Sequence, residues 1–157
     1  MITGAHRTWL DSRRHDKAPF ETPRRAMGDL LGNAVRFGAG GEVMAAGEGI
    51  ETVLSIRQVV PNMPMVAALS AAHLAAILFP DTLRRLYILR DDDPAGDGAR
   101  DSLIERANAA GIEAMVISPT LGDFNEDLRL RGIDALRAAS RIQIAAQDVA
   151  RFLELAA

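Results

Sequence analysis

Asp91, Asp92 and Asp93 stand in a row between Arg90 and Pro94-Ala95-Gly96. The run Arg85-Leu86-Tyr87-Ile88-Leu89 before them reads as a buried strand, and Pro94 to Ala110 reads as a helix. Three carboxylates therefore fall where a strand ends and a helix begins, the place where open α/β sheets bind ligands. Clustered carboxylate oxygens suit a hard divalent cation. Asp93 before Pro94 is also a good helix N-cap with proline at the first helical position. That structural role accounts for Asp93 and leaves Asp91 unexplained.

A second acidic group follows an earlier apolar run. Val43-Met44-Ala45-Ala46 precedes Gly47-Glu48-Gly49, and Glu51 lies about one helical turn beyond Glu48. If the two strands are neighbours, Glu48, Asp91 and Asp93 meet at one sheet edge. A bound metal is the usual means of offsetting such a concentration of negative charge. Glu51 has two readings of equal weight: a further ligand, or an acid favoured by the helix dipole. Gly49 allows close backbone approach to a ligand, or is only a turn residue. Farther on, Asp123 with Glu126 is spaced as a capping box, the favoured reading. Asn125 or Asp127 is the alternative, reaching the metal site from the same loop. Among basic residues, Arg24, Arg25 and Arg90 are candidates for holding phosphate, set against the commoner role of surface arginine. Trp9 is a candidate for stacking on a base, against the commoner role of packing.

The elements that must position these groups alternate. Apolar runs at 43–46, 65–69, 86–89 and 112–117 are separated by helical patterns that start near Glu51, at a Ser70 cap and at Pro94. This predicts an α/β unit: a four-stranded parallel sheet between helices with right-handed crossovers. Residues 1–40 are less regular and predict a small β extension, with short strands near Arg7–Leu10 and Asn33–Phe37. Residues 133–156 read as mostly helical, with Leu136, Ile142, Ile144, Val149, Phe152 and Leu153 as the buried set. The expected divisions are 1–40, 41–132 and 133–157.

The 157-residue chain is 48% hydrophobic and 25% charged, as in an ordinary globular protein that can bury a core. It has no cysteine, which excludes disulfides and a cysteine zinc site. No apolar run nears the ~20 residues of a membrane span, and the start lacks a secretory core, so the cytoplasm is expected. The net charge of -3 divides unevenly: residues 1–40 hold seven basic and four acidic side chains, residues 41–157 eleven and seventeen. A basic lead beside an acidic body fits a polyanion-binding arm next to a metal site.

Gly47-Glu48-Gly49 after one strand, with Asp91-Asp92-Asp93-Pro94-Ala95-Gly96 after a later one, resembles the Toprim domain. Bacterial-type primases, type IA and type II topoisomerases and OLD-type nucleases share that domain. The form Glu48-Gly49-Ile50-Glu51-Thr52, with Gly122-Asp123-Phe124-Asn125-Glu126-Asp127 downstream, is most similar to the Toprim module of phage and plasmid primase-like proteins. Arg7-Thr8-Trp9-Leu10 and Pro23 to Gly28 resemble the segment that precedes Toprim in that subgroup, so residues 1–40 are expected to be part of a primase core. The resemblance implies Glu48 as a metal ligand and the acid–base residue, Asp91 and Asp93 as metal ligands, and Mg²⁺ or Mn²⁺ as cofactor. It implies nucleotidyl transfer in RNA primer synthesis, with DNA template and nucleotides as partners and a replicative helicase or a separate zinc-binding module as further candidates. A nuclease of the OLD type, or a non-catalytic module of a larger replication protein, are the alternatives. A topoisomerase is disfavoured because the one tyrosine, Tyr87, is predicted inside a strand. Two departures stand out. Many bacterial-type primases carry an aspartate at the position of Thr52, and they usually carry an N-terminal zinc module. The resemblance thus implies a part of a primase, or a detached module.

Overall fold

A computed structural model describes residues 2–14 and 16–153. The N-terminal stretch forms two small antiparallel ribbons. β1 (Gly4–Thr8) pairs with β4 (Arg24–Gly28), and β2 (Leu10–Asp11) pairs with β3 (Asp16–Lys17). Next come β5 (Val35–Phe37), β6 (Val43–Gly47), α1 (Ile50–Arg57), β7 (Met65–Ala67), α2 (Ala71–Ala75), β8 (Arg85–Leu89), α3 (Pro94–Ala109) and β9 (Glu113–Ile117). Three helices close the chain: α4 (Phe124–Arg131), α5 (Ile133–Arg141) and α6 (Ala146–Phe152).

The main sheet has five strands in the order β5-β7-β6-β8-β9. The four expected parallel strands are present, and β5 joins them antiparallel to β7. β5 is the Asn33–Phe37 strand of the sequence reading, here fastened to the body of the sheet. The central strands read as continuous apolar runs because both their faces are covered; all five residues of β6 are buried. Alternate side chains then feed two cores. On one face Ala45, Tyr87 and Leu89 meet Val53 and Ile56 of α1, Phe124 of α4 and Val149 and Phe152 of α6. On the other, Met44, Leu86 and Ile88 meet Leu74 of α2 and Leu103 and Ala107 of α3.

The C-terminal region, expected to be mostly helical, forms two helices. A break at residues 142–145 separates α5 from α6, and Ile142, expected in the core, is 85% exposed there. Leu136, Ile144, Val149 and Phe152 are buried as expected, and Leu153 packs partly against them. Expected helix residues 154–156 lie outside the described residues. α6 is pinned to the sheet by a buried polar group: the Tyr87 hydroxyl donates to Asp148 Oδ2 at 2.7 Å and accepts from the Ala145 N–H at 3.0 Å. Arg85 bridges Asp148 and Glu113, each at 2.7 Å. Burial, first, and the Asp148 carboxylate hold the phenol well above its usual range. A tyrosine so placed has no access to a phosphodiester, which agrees with its disfavoured role as a nucleophile. No helix among the described residues is long and apolar enough to cross a membrane.

Candidate metal and nucleotide site

The chain leaves β6 toward β7 on one side and returns through α2 to β8 on the other. Crevices at such a topological switch point receive ligands in open α/β sheets. Gly47 and Leu89, the last residues of β6 and β8, are paired in register. Glu48 and Asp91 therefore emerge side by side at the C-terminal edge. The loop after β9 closes on them, since the Asp92 N–H donates to the Gly122 carbonyl at 3.1 Å.

Local structure fixes each acid. Asp93 caps α3, its Oδ1 accepting from the Gly96 N–H at 2.7 Å. Gly96 is required for a steric reason: a Cβ there would stand 2.5 Å from the Asp91 carbonyl oxygen. The first turn of α3 thus lies directly on the Asp91 backbone. The Asp91 side chain is half-buried and accepts from Thr52 Oγ1 at 3.1 Å. Burial, chiefly, pushes its carboxyl up to about 6; the charges of Glu48, Asp123 and Asp93 add to the rise, and the Thr52 hydroxyl opposes it. Glu48 is also raised, first by burial and then by Asp93, while the backbone N–H of Ala71 at the start of α2 opposes the shift. Asp93 therefore lies within electrostatic range of both Glu48 and Asp91, and Asp123, which the sequence reading treated only as a cap, within range of Asp91.

Among the described residues, no three His, Cys, Asp or Glu side chains are arranged to enclose an ion. One oxygen of Asp91 is engaged by Thr52 and one of Asp93 by Gly96, so an entering cation must use the free oxygens or replace those bonds. The donor chemistry nevertheless fits a hard cation: carboxylates whose proton affinity is raised by burial and by neighbouring acids are those a divalent ion would ionise.

The other candidates are placed differently. Glu51 is exposed and ion-paired with Arg24 of β4, which joins the N-terminal ribbon to α1. Asp127 is buried, and its two oxygens accept from the Thr120 and Leu121 N–H groups at 2.7 and 3.1 Å. It shapes the loop that carries Asp123. The Asp123 cap is present, accepting from the Glu126 N–H at 2.6 Å, while Glu126 accepts from Gly122. Arg90 binds Asp92 and Asp97, each at 2.6 Å. Asp92 is exposed in that pair. Arg25 is exposed on the ribbon, near Trp9, whose ring is covered by the Arg7 guanidinium 4.3 Å from its centroid. Gly49 has an ordinary extended φ of -89°, so its place does not depend on glycine's conformational freedom. Two features escaped the sequence reading. The Thr52 bond to Asp91 links α1 to the β8 loop, and no spacing rule announces it. Asp123 follows the strand next to β8, which the inferred strand order could have flagged.

The Toprim domain family matches residues 43–134, and a domain of unknown function matches residues 1–37. No curated protein matches the chain. Among solved structures, the fold is similar to the zinc-binding and RNA polymerase domains of the Aquifex aeolicus primase. That likeness has a TM-score of 0.60 and 21% identity over 91% of this chain and 37% of that one. The primase fragment of the bacteriophage T7 primase-helicase gives 0.58 and 17%, over 80% and 54%. A DNA primase domain from Pseudomonas aeruginosa gives 0.57 and 17%, over 85% and 49%. The chain thus spans about a third to a half of those proteins' chains. The glutamate after β6, the aspartates after β8 and the matched stretch from β6 to α5 agree, and the chain belongs to the Toprim domain family, with a fold shared by primase fragments.

Proposed function

We propose that this chain is a primase-type Toprim module that performs metal-dependent nucleotidyl transfer in primer synthesis during phage or plasmid DNA replication. The observation that carries the reading is the gathering of Glu48, Asp91 and Asp93 at the switch point of the sheet, where burial and neighbouring charge raise Glu48 and Asp91. Glu48, Asp91 and Asp93 hold Mg²⁺ or Mn²⁺. When bound, the ions orient nucleotide phosphates and stabilise charge on the attacking and leaving oxygens. Glu48, whose burial favours its protonated form, exchanges a proton with the reacting hydroxyl. Thr52 holds Asp91 in place. Arg24 and Arg25 on the ribbon and Arg90 beside the acids contact phosphate. The partners are DNA template and nucleotides. Because the chain spans only part of the similar primases, a zinc-binding module or a replicative helicase supplies further contacts.

A template-dependent assay with ribonucleotides and Mn²⁺ tests this. Short RNA products that vanish with Glu48→Gln are the expected result. Degradation of DNA without nucleotides would instead mark a nuclease. Metal binding with neither activity would mark a binding module of a larger replication protein.

A further inference from the structure

A half-open cavity of about 300 Å³ lies between the N-terminal ribbon and the main sheet. Its apolar sides come from Leu30, Val35 and Leu69, and its polar rim from His6, Asn33 and Arg36. Among the described residues, the side chains of His6 and Arg36 have no hydrogen-bond or ion-pair partner. Asn33 uses its amide N–H on the Asp29 carbonyl, leaving its oxygen to accept. An apolar slot with a few unspent polar groups is the usual form of a small-molecule site.

Leu69 ties this cavity to the acids. It is the one non-glycine among the described residues with a positive φ, 77°, a conformation that costs free energy and collects at ligand sites. In that conformation its N–H bonds the Glu48 carbonyl at 2.8 Å. Ser70 then caps α2. The residue that walls the cavity is therefore bonded to the backbone of Glu48.

We infer that this cavity takes the base and sugar of a nucleotide whose phosphates lie at the acidic edge of the sheet. His6 stacks on the base. The Asn33 oxygen accepts from an exocyclic amine or ring N–H, and Arg36 faces the sugar-phosphate side. The assignment deepens the nucleotidyl-transfer reading and rests on it for the role of the phosphates, but the cavity can be probed without metal.

Amide NMR shifts of the metal-free protein would be followed during titration with each of the four nucleoside 5′-monophosphates and with ribose 5-phosphate. The expected result is saturable shifts at His6, Asn33, Val35 and Leu69 with one or more nucleotides and none with ribose 5-phosphate. His6→Ala and Arg36→Ala, both away from the core, should each weaken that binding several-fold, and Asn33→Ala should change which base binds best. Equal shifts with ribose 5-phosphate, or no nucleotide-dependent shifts at these residues, would overturn the proposal whatever the acids do with metal. Conversely, nucleotide shifts in a protein that fails to bind Mn²⁺ would uphold the cavity and remove the metal reading.

Discussion

Asp91 is half-buried among other acids, and its linkage to pH follows. Its folded carboxyl lies near 6, above the ordinary aspartate range, so the folded state holds a proton that the unfolded chain has released. The ionised form is disfavoured by folding. Stability of the metal-free protein should therefore fall as pH rises from about 4 to about 6, with the penalty complete above that window. Allowing for partial solvent access, Asp91→Asn should gain about 1–2 kcal/mol at pH 7 and flatten this part of the profile. The same variant should lose Mn²⁺ binding in calorimetry. Asp92→Asn, in the exposed pair with Arg90, should retain it. Asp93→Asn keeps a competent cap, so loss of Mn²⁺ there would report charge rather than helix damage. Equal Mn²⁺ affinity in wild type and Asp91→Asn would end the assignment. At this scale the sequence shows which acids share an edge, because chain order and strand ends determine it. It does not show that Glu51 turns to Arg24 or that Asp127 turns to loop amides, because each choice is made by a partner distant in the chain or by a loop shape.

Helices and strands were legible in proportion to how far burial dictates their composition. The fully covered β6 and β8 are unbroken apolar runs, and α3 announces itself through Asp93-Pro94. The break between α5 and α6 carries neither glycine nor proline; it is set by the need to bring Asp148 under Tyr87, and it leaves Ile142 in solvent. Tyr87→Phe should cost about 1–3 kcal/mol in urea unfolding, because the Ala145 N–H loses its acceptor and Asp148 a donor. α3 provides a paired test. Gly96→Ala drives a methyl into the Asp91 carbonyl and should cost about 1–3 kcal/mol while weakening Mn²⁺ binding. Gly98→Ala, in the same helix with open space around it, should gain about 0.5–1 kcal/mol and leave metal binding intact. Stabilisation by both would mean that helix propensity, not contact with Asp91, governs the first turn.

Taken whole, the molecule sets a basic ribbon against an acidic sheet edge, and the Arg24–Glu51 pair spans the two. Binding of single-stranded DNA should weaken when Arg24 and Arg25 become Ala, with the salt dependence reduced by roughly one unit of slope per lost phosphate contact. Unchanged affinity and slope would make the ribbon structural. The alternation of strands and helices was readable along the chain, but the allegiance of β5 was not, since three residues of strand carry no record of their partner. That allegiance matters for where the protein can be cut. The family match begins at residue 43, yet β5, with Val35 and Phe37 packed on the core, supplies the outer strand that shields β7. Similarity and folding therefore draw different frontiers. A fragment starting at residue 43 would carry a bare, apolar template for strand addition and should self-associate in light scattering, whereas one starting at residue 29 should stay monodisperse. A monodisperse 43–157 fragment would show that the sheet can do without its borrowed margin.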